Sequence, residues 1–285
     1  SDLTLVDPQD EVDHFYRKTY AYDSTGQVTR YVGPTDTIYR TLRDDLGRTV
    51  STWVGLDDND GAWDDPGDAG DDLAQSAAYE YDGGGVGDSN LTKAINYPNS
   101  SGGRWTQYFH DWRNRLTATK LGGTSSPGGE DQKVQRQVMY YTRDNLGQIT
   151  QVDTYDGDEV SISYSSGVPS APDADAIRSR VAMAYDELGR AYQTSVYNVT
   201  YTLDGNADPD TATVGSGSNA LDTGYWYDSR GNLIKTSNSG GLIIKSTYDG
   251  LNRLSIQYAS DGGSDSGYGD ADDVSGDKVL AQLES

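Results

Sequence analysis

A six-residue motif returns along the whole chain. Its clearest copies are Tyr185-Asp186-Glu187-Leu188-Gly189-Arg190, Tyr227-Asp228-Ser229-Arg230-Gly231-Asn232 and Tyr248-Asp249-Gly250-Leu251-Asn252-Arg253, and Tyr22-Asp23-Ser24-Thr25-Gly26 opens the series. Three degenerate copies keep the Asp and the turn residue but replace the Tyr: Arg43 to Arg48, His110 to Arg115 and Arg143 to Gln148. A motif repeated at a short period marks a repeat architecture, in which each unit buries its apolar surface only against its neighbours. Such arrays present surfaces or enclose space rather than hold one catalytic centre.

Each copy reads as a β-hairpin turn. Asp at the first position accepts a hydrogen bond from the backbone two residues on, and Gly at the fourth supplies a left-handed backbone. Together these predict a type I turn closed by a glycine bulge. Where Gly is missing, at 114 and 252, the residue is Asn, the non-glycine side chain best suited to positive φ. Thr, Tyr and Val dominate the flanks, as strands require. The expected fold is therefore all-β: antiparallel hairpins of about 21 residues coiling into a spiral sheet or hollow tube, with helix under about 10%.

The turn residues fall at 26, 47, 114, 147, 189, 231 and 252, so 26/47 and 231/252 are 21 apart while 147/189 and 189/231 are 42 apart. The wider gaps are expected to hide worn copies, among them Tyr164-Ser165-Ser166-Gly167 and Tyr81-Asp82-Gly83-Gly84-Gly85. A longer period overlies the short one. Tyr22-Asp23 aligns with Tyr227-Asp228 at an offset of 205, and the same offset places Asp44 on Asp249, Leu46 on Leu251 and Arg48 on Arg253. An Asp/Gly-rich loop follows in both places, and after a further shift Leu73-Ala74-Gln75 matches Leu280-Ala281-Gln282. The expected organisation is one super-repeat unit over 1–205 and the start of a second over 206–285, in a fragment of a longer chain.

Composition narrows the function classes. The chain carries 22 Tyr against two Phe and a formal net charge of −23. Tyr places a wet hydroxyl on an apolar ring and suits sheets with solvated faces. The charge opposes nucleic acid, whose phosphates need Lys and Arg, and opposes anionic membrane surfaces. No apolar run has the length of a membrane span. Cys is absent, which excludes disulfides and thiolate metal sites.

The acidic loops break the hairpin rhythm. Asp204, Asn206, Asp208 and Asp210 alternate oxygen ligands as calcium loops do, and they are the candidate metal site, although the glycine and bidentate Glu of an EF-hand are missing. The alternative is a solvated loop that guards a sheet rim. No catalytic constellation stands out, so no enzyme is expected. His110 occupies a motif Tyr position as a strand residue, His14 lies in an acidic N-terminal segment, and no nucleophile elbow is present. Trp53, Trp63, Trp105, Trp112 and Trp226 suit either cross-strand packing or a glycan-binding face.

The recurring Tyr-Asp-x-x-Gly-Arg/Asn/Gln motif resembles the YD repeat of the Rhs/teneurin family, carried by the copies at 22–28, 185–190, 227–233 and 248–254. The resemblance implies a continuous sheet of hairpins that coils, closes into a shell around a C-terminal toxin in bacterial relatives, and mediates cell-surface adhesion in animal ones. The Asp-Pro-x-Gly-Arg type motif that closes the shell is lacking, and the acidic super-repeat is like the arrays of large bacterial surface proteins. The expected role is a non-catalytic extracellular or cell-surface structural protein that builds an elongated fibre or tube. It would pair with itself head to tail and possess adhesive faces for glycans or proteins. The alternative is part of a closed shell that holds a toxin or other cargo.

Overall fold

The computed structural model describes residues 17–58, 72–84, 87–99, 102–122, 136–157, 160–203, 209–263, 265 and 271–284. Among them the helical pieces are three-residue 3-10 turns at Asp82–Gly84, Ala174–Ala176 and Gly217–Asn219. The rest of the regular structure is antiparallel strand, as the motif predicts.

The chain divides into two compact units, Ser1–Tyr108 with Leu121–Glu130, and Phe109–Lys120 with Asp131–Ser285. The first is a simple meander. β1 (Thr19–Tyr22), β2 (Val28–Val32), β3 (Ile38–Arg43), β4 (Thr49–Gly55), β5 (Ala74–Tyr81), β6 (Leu91–Asn99) and β7 (Gly102–His110) each pair with the next. In the second unit the ladder begins with β8 (Leu116–Gly122, whose last two residues fall in the first unit), β9 (Gln137–Arg143) and β10 (Ile149–Asp156). It steps over a short ribbon, β11 (Tyr164–Ser165) with β12 (Val168–Pro169), to β13 (Ile177–Tyr185) and β14 (Ala191–Tyr197). It then steps over a second ribbon, β15 (Val199–Leu203) with β16 (Pro209–Val214), to β17 (Leu221–Tyr227). β18 (Leu233–Asn238), β19 (Ile243–Tyr248), β20 (Leu254–Ser260) and β21 (Val279–Glu284) complete it.

All seven predicted turn residues have positive φ: Gly26 84°, Gly47 78°, Asn114 59°, Gly147 88°, Gly189 79°, Gly231 89° and Asn252 61°. At each turn the Asp N–H donates to the carbonyl four residues on, and the Gly or Asn N–H donates back to the Asp carbonyl, as in Asp186 N to Arg190 O and Gly189 N to Asp186 O, both 2.9 Å. The pairing register slips by one residue at the turn, at Ala21/Tyr22, Ala184/Tyr185 and Trp226/Tyr227. This is the expected bulge, which matches turn twist to strand twist.

The irregular spacing has a different origin from the one predicted. Only one of the two expected worn copies is a member of the array. Asp82 N donates to Asn90 O at 2.9 Å and closes the β5/β6 hairpin with a longer loop. Tyr164 to Gly167 instead forms a two-residue turn, with Ser166 at φ 52° and Gly167 at 75°, inside a ribbon that β10 and β13 pair across. The motif turns all lie where hairpins close. The connections between successive hairpins vary freely. They are as short as Gly33–Thr37 and Asn238–Leu242, which give the spacing of 21, and are long where a ribbon is inserted, which gives 42.

Asn238 to Leu242 repeats the motif geometry on a connection between hairpins. Asn238 Oδ1 accepts from Gly240 N at 3.0 Å and Leu242 N at 3.3 Å, and Gly241 has φ 82°. The β15/β16 ribbon packs over β13, and Val199, Ala212 and Val214 join Val138, Tyr155 and Ile177 in an apolar cluster. In the first unit Trp105, 1% exposed, lies over Gly122. A Cβ there would fall 1.8 Å from the indole ring, so the position admits only glycine.

Candidate functional site

The motif side chains form one repeating contact set. The turn Asp uses both carboxylate oxygens. Asp186 Oδ1 accepts from Leu188 N and Arg190 N, both at 2.9 Å, and Oδ2 accepts from Arg190 Nε at 2.7 Å. Asp44, Asp111 and Asp249 repeat all three bonds. The backbone N–H and then the guanidinium of the motif Arg hold the Asp186 and Asp249 carboxyls below the ordinary range.

The Arg and the Tyr then join one hairpin to the next. The Arg190 guanidinium lies 4.7 Å from the Tyr227 ring centroid, and Arg48 lies 4.5 Å from that of Tyr81. Tyr185 Oη donates to Ile149 O at 2.9 Å, Tyr227 Oη to Ala191 O at 2.9 Å and Tyr248 Oη to Leu233 O at 3.1 Å. Each acceptor stands two residues beyond the glycine of the preceding turn. Gln148 donates to Gly189 O at 3.2 Å, Arg230 to Gly250 O at 3.3 Å, and Asn232 to Asn252 Oδ1 at 3.2 Å, so adjacent turns are tied at their tips as well. Leu46, Leu146, Leu188 and Leu251 occupy the residue before the turn Gly or Asn and stand 66 to 84% exposed.

A second contact set lies on the sheet face. Arg30 and Arg40 are directly opposed across β2 and β3, and Lys235 and Lys245 across β18 and β19. Opposed like charges are unfavourable unless an anion lies between them. The acidic loops supply it. Asp58 takes Arg30 Nε at 2.7 Å and Arg40 Nε at 2.9 Å, while Asp265 takes Lys235 Nζ at 2.5 Å and Lys245 Nζ at 2.9 Å. Asp277 adds a second carboxylate to Lys245 at 2.8 Å. Lys245 is fully buried; burial pushes its pKa down, but Asp277 and Asp265 outweigh this and raise it. Burial likewise pushes Asp265 up, and the two ammonium groups bring it below the ordinary range.

These basic pairs stand 205 residues apart, Arg30 with Lys235 and Arg40 with Lys245. Beyond the loop the offset is 207, which joins Asp58 to Asp265 and Leu73 to Leu280. The registers agree: Val54 pairs with Ala74 and Trp53 with Gln75, as Ala259 pairs with Ala281 and Tyr258 with Gln282. This contact set thus recurs once within the described residues, at an offset of 205 to 207. It passed unnoticed at these basic residues in the sequence because each contact is long-range, although the offset itself points to them.

The candidate calcium ligands Asp204, Asn206 and Asp208 lie outside the described residues, and Asp210 is on β16 with its side chain outside them. Among the described residues no three His, Cys, Asp or Glu side chains are grouped to hold a metal. His14 and Trp63 also lie outside the described residues. His110 is half-buried; burial lowers its pKa, and its Nδ1 has no hydrogen-bond partner. Trp105 is buried and Trp53 donates to Ser51 Oγ at 2.9 Å, whereas Trp112 is 66% exposed beneath the Arg113 guanidinium. An open groove of about 620 Å³ runs along β17, bounded by Tyr192, Asp222, Tyr225, Trp226, Tyr227 and Asn238.

No family model matches the chain, and no curated protein does. Solved structures with a similar chain path include the Photorhabdus luminescens Tc holotoxin pore carrying the TccC3-D651A mutation, at TM-score 0.47 and 12% identity over 85% of this chain and 12% of that one. A TcdB2-TccC3-Cdc42 crystal structure matches at TM-score 0.42 and 11% identity, over 85% and 13%. A porin-like protein from Bacteroides uniformis matches at TM-score 0.23 and 12% identity, over 85% and 80%. This chain therefore spans about an eighth of the first two chains.

Proposed function

We propose that this chain is a non-catalytic structural segment of an extracellular YD-repeat protein, one whose sheet extends by whole super-repeat units into an elongated tube or fibre. The observation that carries this reading is the use of the motif itself. In the copies after the first, Asp, Gly, Arg and Tyr are engaged in closing a turn or joining the next hairpin, so the feature that recurs builds sheet rather than chemistry. A unit of 205 residues contains twelve ladder strands, β1 to β10 with β13 and β14, closed by six turns. Twelve is even, so the next unit starts with β17 in the sense of β1. One operation can then be applied again and again, which is the condition for an open filament.

The array grows as such units follow one another head to tail. Glycans or cell-surface proteins would meet it at its exposed tyrosines and turn tips. Images of the native protein should show rods with an axial period set by the 205-residue unit. Compact hollow particles of a single size, holding a folded domain, would establish the cargo shell instead.

A further inference from the structure

We propose that Lys245 and Asp277 join in an intramolecular amide, formed by the folded chain itself with Asp265 as the proton carrier, so that the acidic loop after β20 is tied to β19 by a covalent bond. The inference stands apart from the filament reading and concerns one buried cluster.

The cluster holds the three groups that such a bond needs. The nucleophile is Nζ of the fully buried Lys245. It lies 2.8 Å from Asp277 Oδ2, against the carboxyl whose carbon it would attack, and 2.9 Å from Asp265 Oδ1. The Asp273 carbonyl is its third acceptor. The Asp277 side chain is 1% exposed, and its two oxygens are unequal. Oδ2 accepts from Lys245 and, at 2.8 Å, from Oγ of the fully buried Ser260. Oδ1 is buried, and among the described residues nothing donates to it. Gly263 backs it: a Cβ there would fall 3.0 Å away. A buried oxygen without a donor is costly, and ion pairing alone leaves that cost standing. Amide formation removes it, because Oδ1 is the oxygen that departs while Oδ2 stays as the amide carbonyl on Ser260.

The step balances. One proton passes from Nζ to the Asp277 carboxyl, which turns ammonium and carboxylate into amine and acid. Nζ then attacks Cγ. Asp265 takes a second proton from the attacking nitrogen and gives it up to the departing Oδ1, which carries both away as water. The N–C bond forms, the C–Oδ1 bond breaks, and the nitrogen keeps one hydrogen. One positive and one negative charge vanish together, so no buried charge is stranded, and Asp265 keeps Lys235 as its partner. Burial pushes the Lys245 pKa down, but the two carboxylates outweigh it. The neutral pair is therefore the minor form, and the reaction is one slow maturation event.

The first super-repeat supplies the contrast. Arg30 and Arg40 stand where Lys235 and Lys245 do, Asp58 stands for Asp265, and at the same offset Gly70 takes the place of Asp277. A guanidinium stays charged and is no nucleophile. Amine and spare carboxyl are thus both missing from that copy, whose loop is held by ion pairs.

The test is the mass of the whole purified chain, unfolded before measurement. The expected mass is one water below that of the sequence. Trypsin should leave peptides 236–253 and 254–278 joined, and fragment sequencing should place the joint between Lys245 and Asp277. Lys245→Arg, which copies Arg40 and keeps a cation for both carboxylates, should fold, restore the full mass and release the two peptides. Asp265→Asn should slow the appearance of the link after synthesis by at least about tenfold. A wild-type chain that keeps its full mass after prolonged incubation overturns the proposal. So does a lost water that survives Lys245→Arg, which would mark dehydration of another aspartate. A link from either lysine to Asp265, or an unchanged rate in Asp265→Asn, overturns it as well.

Discussion

At a turn aspartate, both side-chain oxygens have fixed partners, and the chemistry of the side chain can be read from what each substitution removes. Asp111 is 6% exposed, accepts from Arg113 N at 2.9 Å and Arg115 N at 3.0 Å, and takes Arg115 Nε at 2.8 Å. Asp111→Ala strands two N–H donors and a guanidinium, and should cost about 2–3 kcal/mol in denaturant unfolding. Asp111→Asn keeps an oxygen for both N–H groups, as Asn238 does naturally, and should cost about 1 kcal/mol. Leu188→Ser at an exposed tip should change stability little, within about 0.5 kcal/mol.

The same aspartates set the acid response. Their carboxyls titrate below the ordinary Asp value of 3.8 in the folded chain. A depressed folded pKa contributes stability that is complete above the unfolded value and is lost as pH falls through the folded one. Melting temperature should therefore hold steady from neutral to mildly acidic pH and drop only below about 4. A decline that begins near pH 6 would point to His110 instead, whose pKa burial lowers.

At the scale of elements, the hairpins were legible in the sequence and the connections were not. Asp and Gly fix a turn through bonds that reach at most four residues, so the pattern is visible locally. The motif does not mark Asn238, which has neither the Tyr nor the Asp, or Gly33–Thr37, whose positive-φ residue is Asp36. The ribbons β11/β12 and β15/β16 were hidden in the 42-residue gaps, since their lengths obey no period. The loop straps were illegible for another reason. Asp58 and Asp265 meet cations 18 to 30 residues away, and nothing in an acidic loop marks which carboxylate will do so. The straps yield a prediction of their own. Lys245→Met removes the cation from buried Asp277 and halves the pair at Asp265, and should cost about 3–5 kcal/mol. Adding Asp277→Asn should recover much of that loss. Equal stability of the single and double variants would show that Asp277 gains nothing from Lys245.

For the whole molecule, we propose that equivalent contacts recur every super-repeat and that the sheet grows without closing. In repeat arrays each unit adds its own stability and one interface, so length should rise in equal steps. The direct measurement is small-angle X-ray scattering on chains of one, two and three 205-residue units. The account predicts a constant increment in maximum dimension per unit, with the cross-sectional radius unchanged. A maximum dimension that stops growing while the particle becomes rounder would contradict it and identify a closed shell.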